Sequence, residues 1–328
     1  MPGTPKGPPG RGYFRNFEGN AVRAVELIRR MPGSSRSILV RADDARLYVT
    51  KMHQEQQPSN LLANEVMGSE LLRCVGLPSP FWKPIFFSTS FTERCRRVVR
   101  AEDPPVPGGY HFASTFALPR EDQELYEILP GSFFGAIVNP ADFLGVYIFD
   151  TWANHHDRRQ ALFLREIKHR GIHATFIDNG HLFGGPEWST DTKFGAAMYM
   201  DRRVYTTPWE DRSIEAWVTR IRKAISPSLS SMIEKVPRQW YTGQIKVLIK
   251  SLEHRLENLS ELFRYELENN PRLRSFGEKD RRDSHMQVRD SRILQVRNLS
   301  GWRSTPTHSR HRKAGLQTLA EGIYPVNN

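Results

Sequence analysis

Two short apolar runs near the middle of the chain constrain its fold most, because their spacing indicates an antiparallel hairpin. The runs cover residues 161–167 and 172–178, and they flank a Lys-His-Arg-Gly turn. Pairing about the centre of that turn sets Ala161 opposite Asp178. Asp157 lies shortly before the first run. The sequence therefore predicts that Asp157 and Asp178 meet at one end of the hairpin.

The loop before this hairpin is polar and carries several groups suited to phosphate chemistry. Its sequence is Asn154-His155-His156-Asp157-Arg158-Arg159-Gln160. Two converging carboxylates beside arginines and a glutamine can hold a divalent cation and orient a hydroxyl, as phosphoryl transfer requires. We take this arrangement as the centre of the functional hypothesis.

Length and composition favour a folded protein with room for two domains or two lobes. The chain has 328 residues and 38% hydrophobic content, enough for a substantial core. No run approaches a membrane span, and the first residues lack a secretory signal, so we expect a cytoplasmic protein with no membrane contact. Cys74 and Cys95 make neither a disulfide framework nor a cysteine metal site, and both are expected to be reduced.

The basic excess lies mostly in the C-terminal tail. The net charge is +11, and residues 271–328 hold 12 Lys and Arg against 5 Asp and Glu, or +7, which leaves +4 for residues 1–270. The tail shows weak periodicity and few clustered apolar residues, which favours disorder. A basic arm that binds nucleic acid remains the alternative for this segment.

The pattern changes character near residues 130–132, which we take as a domain boundary. Residues 1–12 are rich in Pro and Gly and are expected to be disordered. Residues 13–130 predict a smaller, mostly antiparallel β-rich N-lobe. Residues 131–270 predict a larger, mostly helical C-lobe, and 271–328 form the tail.

Local signals place several elements within these lobes. The pattern predicts a short helix over 21–30, a hairpin over 38–52, a helix from Asn60 that stops at Gly76, and strands up to about 129. In the second part it predicts a helix after Asn139-Pro140 that leads to the Asp157 loop, and two amphipathic helices over 214–225 and 245–263.

The order of the polar residues along the chain is that of protein-kinase-like enzymes. A glycine-containing polar loop comes first, then Lys51 on a strand face shared with two apolar residues, then Glu65 in the second turn of a helix. The Asp157 loop and Asp178 follow. Such enzymes present a phosphate-covering loop, a lysine, a glutamate and two aspartates in this order.

The residues themselves resemble those of the HipA-like kinase family over roughly residues 20 to 265. The resemblance rests on Asn64-Glu65, on Leu71-Leu72-Arg73-Cys74-Val75-Gly76-Leu77-Pro78-Ser79-Pro80, on Phe149-Asp150 with Asp157-Arg158-Arg159-Gln160, and on Ile177-Asp178-Asn179-Gly180-His181-Leu182-Phe183-Gly184-Gly185.

This resemblance implies a bilobal, protein-kinase-like α+β fold that binds ATP and Mg²⁺ and phosphorylates a Ser or Thr hydroxyl of a protein. It also implies residue roles: Lys51 anchors ATP, Glu65 pairs with Lys51, Asp157 is the catalytic aspartate and Asp178 binds the metal. The phosphate-covering loop would consist of Gly33, Ser34, Ser35 and Arg36. HipA-like kinases are often toxins paired with a DNA-binding antitoxin, so an antitoxin-like partner is a further expectation.

The chain departs from the family pattern at two positions. Arg159 stands where a histidine is common, and Leu162 stands where an asparagine is common. A leucine cannot bind a cation, so Gln160, which has an amide oxygen, is our candidate for the second metal ligand. The same departure motivates a second hypothesis, a nucleotide-binding pseudokinase that acts as an interaction module.

Other interpretations of the same residues stay open at this stage. Lys51 and Glu65 can be ordinary surface residues, and Asp157 and Asp178 can cap turns. A metal-dependent hydrolase site is a further alternative, with candidate ligands His155, His156, His173 and His181 beside the aspartates.

Overall fold

The structure is a computed structural model that describes residues 19–32, 36–53, 60–98, 104–116, 119–168, 171–205 and 209–270. All of these residues belong to the first of two units, which covers residues 1–294. The described ranges combine helices with two β-sheets in a mixed α+β fold. The predicted disorder of residues 1–12 and of the tail concerns segments outside the described residues.

Five strands close into a barrel, where the sequence predicts a mostly antiparallel sheet. They are β1 (Val22–Arg30), β2 (Ile38–Ala42), β3 (Leu47–Lys51), β4 (Trp82–Phe87) and β5 (Gly109–Phe116), in the order β1-β2-β3-β5-β4. Neighbouring strands are antiparallel except β1 and β4, whose parallel pairing closes the barrel. Helix α2 (Thr89–Val98), which the sequence pattern did not indicate, connects β4 to β5.

The prediction of a helix over 21–30 is wrong, because this segment is strand β1. Val22 and Ala24 are buried whereas Arg23 and Val25 are exposed, which is the alternation of a strand. The apolar spacing of the segment fits both periods. The pairing of β1 with β2 on one side and β4 on the other supplies the backbone hydrogen bonds that a strand needs and decides the outcome.

The predicted hairpin over 38–52 is confirmed, and it positions Lys51 at the end of β3. Ala45 in its turn adopts a φ of 64°, the left-handed conformation that tight turns use. Lys51 pairs with Phe112 of β5 and is buried, so its side chain points into the protein rather than into solvent.

Helix α1 (Asn60–Val75) confirms the predicted helix that carries Glu65. It is buried on most of its circumference, because the barrel and the later helices pack on it from different sides. Gly76, with a φ of 79°, ends it in the way that glycine commonly ends helices.

The second sheet has three antiparallel strands and contains the predicted hairpin. Its order is β6 (Gln123–Tyr126), β7 (Gln160–Glu166) and β8 (Ile172–Ile177). The predicted register is wrong. Ala161 lies opposite Phe176 rather than Asp178, and Gln160, the first residue of β7, lies opposite Ile177. The turn begins earlier than expected, where the Glu166 amide donates to the Gly171 carbonyl. This displacement preserves which face each side chain occupies.

The remaining helices are α3 (Ala141–Trp152), α4 (Asp211–Ile225), α5 (Met232–Lys235), α6 (Ile245–Glu257) and α7 (Leu259–Asn269). Of these, α4, α6 and α7 pack against α3, and α5 packs against α1. The prediction of a single helix over 245–263 is wrong, because the helix is interrupted at Asn258. The side-chain amide of Asn258 donates to the His254 carbonyl there. No helix in the described part of the chain has both the length and the apolar character to cross a bilayer.

Candidate functional site

A cavity of about 450 Å³ lies where the barrel, α1 and the three-stranded sheet approach each other. Residues from all three line it. Apart from the phosphate-covering loop, all of the predicted site residues line this cavity. They are Lys51, Glu65, Asp157, Gln160 and Asp178. The fold therefore brings these five side chains to one cavity.

Lys51 joins the two carboxylates on either side of it. Its Nζ donates to Glu65 Oε1 and, at 2.6 Å, to Asp178 Oδ1. The Glu65 side chain is only 3% exposed and that of Lys51 11%, whereas that of Asp178 is 24% exposed. Glu65 thus holds the ammonium from the buried side, and Asp178 meets it from the side of the cavity.

The charges of this triad stabilise each other. Burial lowers the pKa of Lys51, but the attraction of Glu65 and Asp178 outweighs burial and raises the pKa above its ordinary value. Burial raises the pKa of Asp178, but Lys51 outweighs it and brings that pKa down to about 2. At neutral pH the site therefore contains a charged ammonium and an ionised Asp178.

Asp178 follows β8 directly and has an unusual backbone conformation. Its φ is 65°, in the left-handed region that Asp tolerates better than most residues. Arg159 supports the backbone around it: Nη1 donates to the Ile177 carbonyl at 3.0 Å and to Asn179 Oδ1 at 2.8 Å. The Arg159 guanidinium therefore helps to position Asp178 by holding the residues on either side of it.

Arg159 itself is buried in an ion pair that sequence reasoning missed. Its Nε donates to Asp150 Oδ2 at 2.9 Å, and its Nη2 donates to Asp150 Oδ1. Burial raises the pKa of Asp150, but Arg159 outweighs burial and the net pKa is lowered. A signal was present, since Asp150 is an acid in an otherwise apolar part of α3 and needs a buried cation.

Asp157 lies at the rim of the cavity and is exposed. Its Oδ1 accepts from the Arg158 amide at 2.7 Å, which fixes the side chain against its own loop. This bond is to the next residue in the chain and does not close a turn. It does not compete with a contact to a bound hydroxyl, because a carboxylate has a second oxygen and spare acceptor sites.

Gln160 lies beside Asp178, whereas Leu162 does not take the place expected of an asparagine. Gln160 Nε2 donates to Asp178 Oδ2 at 2.7 Å. Since β7 begins at Gln160, opposite Ile177, it is the amide of residue 160 that reaches the aspartate. Leu162 lines the cavity further along β7.

The apolar part of the lining forms a wall beside the charged groups. It comes from the barrel and from the three-stranded sheet and includes Val49, Phe112, Phe116, Leu162 and Ile177. A flat, largely apolar ligand portion can bind there while its charged portion reaches Lys51.

Asn64 is a second residue that sequence reasoning missed, although it precedes Glu65 in the motif. It is fully buried, and its Nδ2 donates to the carbonyls of Gly180 at 2.9 Å, Leu182 at 2.9 Å and Gly185 at 3.2 Å. Its Oδ1 accepts from Trp188 Nε1 at 2.8 Å. A buried polar residue inside an apolar helix was the signal that pointed to it.

The predicted phosphate-covering loop is seen only in part. Gly33, Ser34 and Ser35 lie outside the described residues. Arg36 is exposed, with a φ of 51°, and is not part of the cavity lining. Met31, Pro32 and Ser37, on either side of the loop, do line the cavity.

The four histidines near the hairpin do not gather around a metal position. His155 is buried against Asp150, with its Nδ1 3.5 Å from Oδ1. His156 Nε2 contacts the Asp191 carbonyl at 2.7 Å, and His173 is exposed on β8. Within the described ranges no group of three or more His, Cys, Asp or Glu residues can hold a metal ion, so the hydrolase alternative gains no support.

The solved structures that are similar to this chain include three kinase structures. The Helicobacter pylori proinflammatory kinase CtkA matches with a TM-score of 0.50 and 12% identity, over 76% of this chain and 98% of that one. Two structures of the Golgi casein kinase also match at 12% identity. One has a TM-score of 0.48 and covers 76% of this chain and 74% of its own. The other, with Mn/ADP bound, has a TM-score of 0.46 and covers 74% of this chain and 72% of its own.

The match to CtkA indicates a kinase fold and, at this identity, no more than the fold. No curated protein matches the chain. The family model for HipA-like kinases matches residues 24–269, which include every described residue that lines the cavity and almost the whole described fold. The chain therefore belongs to the HipA-like kinase family.

Proposed function

We propose that the protein transfers the γ-phosphate of ATP, with Mg²⁺, to a Ser or Thr hydroxyl of a protein. The observation that carries this proposal is the contact of Lys51 with both Glu65 and Asp178 in a cavity that Asp157 also lines. A lysine held by a helical glutamate beside a metal-binding aspartate is the arrangement that phosphoryl transfer uses.

Lys51 binds the phosphates of ATP in this proposal. Its ammonium is charged and buried, so its attraction for an anion is weakly screened. Glu65 keeps it in place from the buried side, which leaves its remaining donor capacity for phosphate oxygens. Binding of the phosphates would displace the direct contact between Lys51 and Asp178.

Asp157 orients the acceptor hydroxyl and accepts its proton. It is exposed at the cavity rim, where a side chain of a protein substrate can approach it. Its fixed position against the Arg158 amide reduces the motion that must be lost when the substrate binds.

The residues around Asp178 fit a magnesium ion. Asp178 supplies carboxylate oxygens, and the neighbouring Gln160 supplies an amide oxygen once its side chain rotates by half a turn. A bound magnesium ion would neutralise phosphate charge during transfer. Few protein ligands are needed, because Mg²⁺ keeps several waters and binds substrate phosphates.

We propose that residues 13–130 and 131–270 act as the N-lobe and C-lobe on either side of the nucleotide. The adenine base would bind the apolar wall, to which the barrel contributes Val49 and the three-stranded sheet contributes Leu162. The protein acceptor and an antitoxin-like partner are proposals that rest on family membership.

Two measurements on the full chain test this function. Thermal unfolding is recorded with and without ATP and Mg²⁺, since a ligand at 100 times its Kd adds about 2.7 kcal/mol of stability. Transfer of label from γ-labelled ATP to protein is then compared between wild type and Asp157→Asn. Labelling that needs Asp157 supports the proposal, and absence of both stabilisation and labelling overturns it.

A pseudokinase is the second candidate, and the lack of an asparagine at position 162 favours it. Leu162 contributes only hydrocarbon to the lining of the cavity. A pseudokinase would be stabilised by nucleotide yet would not transfer phosphate in the presence of any divalent metal ion. The two candidates therefore differ in the labelling experiment and agree in the thermal one.

A further inference from the structure

Helix α1, which carries Glu65, is tied along its length to the part of the chain after residue 178. Near its start, Asn60 Oδ1 accepts from the Thr242 amide at 2.8 Å. In its last third, Ser69 Oγ lies 3.2 Å from Asn179 Nδ2, and Glu70 is in an ion pair with Lys235. These contacts hold the helix near both ends.

The C-terminal end of α1 is capped from another helix. Arg220 of α4 donates from Nε to the Val75 carbonyl at 2.6 Å. The last carbonyls of a helix have no partner within the helix, so this bond satisfies one of them and also fastens α1 to α4. The guanidinium lies near the helix end where a positive charge is favourable.

Asn64 provides the strongest of these attachments, and it lies next to Glu65 in sequence. One buried amide group donates to three carbonyls of the loop that follows Asp178, those of Gly180, Leu182 and Gly185. The Leu182 and Gly185 carbonyls also accept from the backbone amides of Gly185 and Trp188, both at 3.1 Å, so Asn64 adds a second donor to each of them from α1. Displacement of α1 would break this set together.

The backbone of α1 also lies very close to that loop. A Cβ on Gly68 would lie 2.5 Å from the Cβ of Asn179, so only a glycine fits at this contact. A Cβ on Gly180 would lie 3.1 Å from Leu61 and 3.2 Å from Glu65 Oε1. The helix and the Asp178 loop therefore interlock in one arrangement.

We propose that Asn64 is a positioning residue that fixes Glu65 opposite Lys51 before any nucleotide or partner binds. α1 does not swing to switch the site on, because it is fastened to the loop that carries Asp178. The inference rests on the proposed function, since it assigns the Lys51–Glu65 pair a part in catalysis. It adds that this pair is permanently assembled.

Asn64→Asp is the most direct test, with Asn139→Asp as its matched control. The first change places an oxygen against three carbonyls in a buried position. The second makes the same replacement outside the cavity, where an amide donates to the Ala174 carbonyl at 3.0 Å and to Asp142 Oδ2 at 2.9 Å. Amide hydrogen exchange of residues 60–75 is measured without nucleotide, and kcat and KM for ATP are measured separately.

The expected result is that Asn64→Asp raises exchange in α1 and lowers kcat by about 100-fold, the loss typical of a small misplacement of catalytic groups. Asn139→Asp is expected to lower Tm with α1 exchange and kcat unchanged. In wild type, α1 exchange should be the same with and without an ATP analogue. Strong extra protection of α1 on nucleotide binding would overturn the proposal, as would equal effects of the two variants.

A second variant keeps the test decisive if Asn64→Asp does not fold. Gly68→Ala pushes α1 away from Asn179 and should produce the same rise in α1 exchange and fall in kcat. If it leaves both unchanged, the proposal is overturned. The exchange data do not depend on activity, so a wild type that transfers no phosphate would refute the proposed function and still report whether α1 is fixed.

Discussion

Replacing Lys51 with methionine would expose how much the site depends on one shared cation. Methionine has a similar length and fits an apolar surrounding, so the change removes the charge with little change in volume. It leaves the carboxylates of Glu65 and Asp178 without the ammonium that both now contact. Glu65 cannot rehydrate, because its side chain is only 3% exposed.

The size of the effect follows from the charges involved. The pKa of Asp178 lies near 2 instead of 3.8, which corresponds to about 2 kcal/mol of folding free energy at neutral pH. The raised pKa of Lys51 reflects its pairing with both Glu65 and Asp178, so its Asp178 part is already included in this figure. Loss of one partner of a buried pair typically costs about 3–5 kcal/mol. We expect Lys51→Met to lower the free energy of unfolding by about 3 kcal/mol at pH 7.

Urea unfolding at several pH values measures this quantity. Because the pKa of Asp178 is lower in the folded state, its stabilising contribution is present above about pH 4 and is lost as the pH falls towards 2. Lys51→Met should therefore show a smaller loss of stability between pH 4 and pH 2 than wild type. Phosphotransfer should fall by about 100-fold or more, as when a charge-stabilising group is removed.

The double variant Lys51→Met, Glu65→Gln separates stability from catalysis. It should recover about 1–2 kcal/mol, since no unpaired carboxylate remains in the most buried position. Phosphotransfer should stay lost, because the cation is still missing. Wild-type stability in Lys51→Met, or recovered activity in the double variant, would refute the reasoning.

Three further changes test other parts of the site. Asp157→Asn should lower phosphotransfer by about 10²–10⁴-fold and leave the thermal shift with ATP unchanged; loss of that shift would show that Asp157 acts in binding instead. Gln160→Leu should raise the Mg²⁺ concentration needed for half-maximal labelling, whereas Gln160→Asn should retain more of the metal response, and identical metal titrations would remove Gln160 as a ligand. Arg159→Leu should cost about 3–5 kcal/mol in urea unfolding because the buried Asp150 loses its cation, and Asp150→Asn in the same chain should restore part of it.

The elements that bear the site were largely predictable, because strong local patterns specify them. The hairpin that ends in Lys51 and the helix that carries Glu65 both follow from apolar periodicity and clear stop signals. The segment 22–30 was not, since its apolar residues suit either a helix or a strand and only its two barrel neighbours decide between them. Local sequence holds no record of such distant pairing.

Within the site, the residues that follow the order of a known motif were easier to find than the residues whose role depends on buried contacts. Gln160 became a candidate because Leu162 stands where an asparagine is common, and the start of β7 does bring Gln160 Nε2 to Asp178. The register of a short hairpin depends on its turn, which the pattern placed too late. The roles of Asn64 and Arg159 depend on partners more than 100 and about 20 residues away, respectively, and only the fold brings these together.

Closure of the barrel by β1 and β4 limits how another protein can attach to this chain. Every barrel strand has a neighbour on both sides, so the barrel has no free edge at which a partner could add a strand. Among the described strands, only β6 and β8 are edge strands. β6 is four residues long, and a bridge from Ile137 to Ile172 already covers part of β8. Within the described part of the chain, a partner that adds a strand would therefore bind the sheet that carries Gln160, next to the proposed catalytic residues.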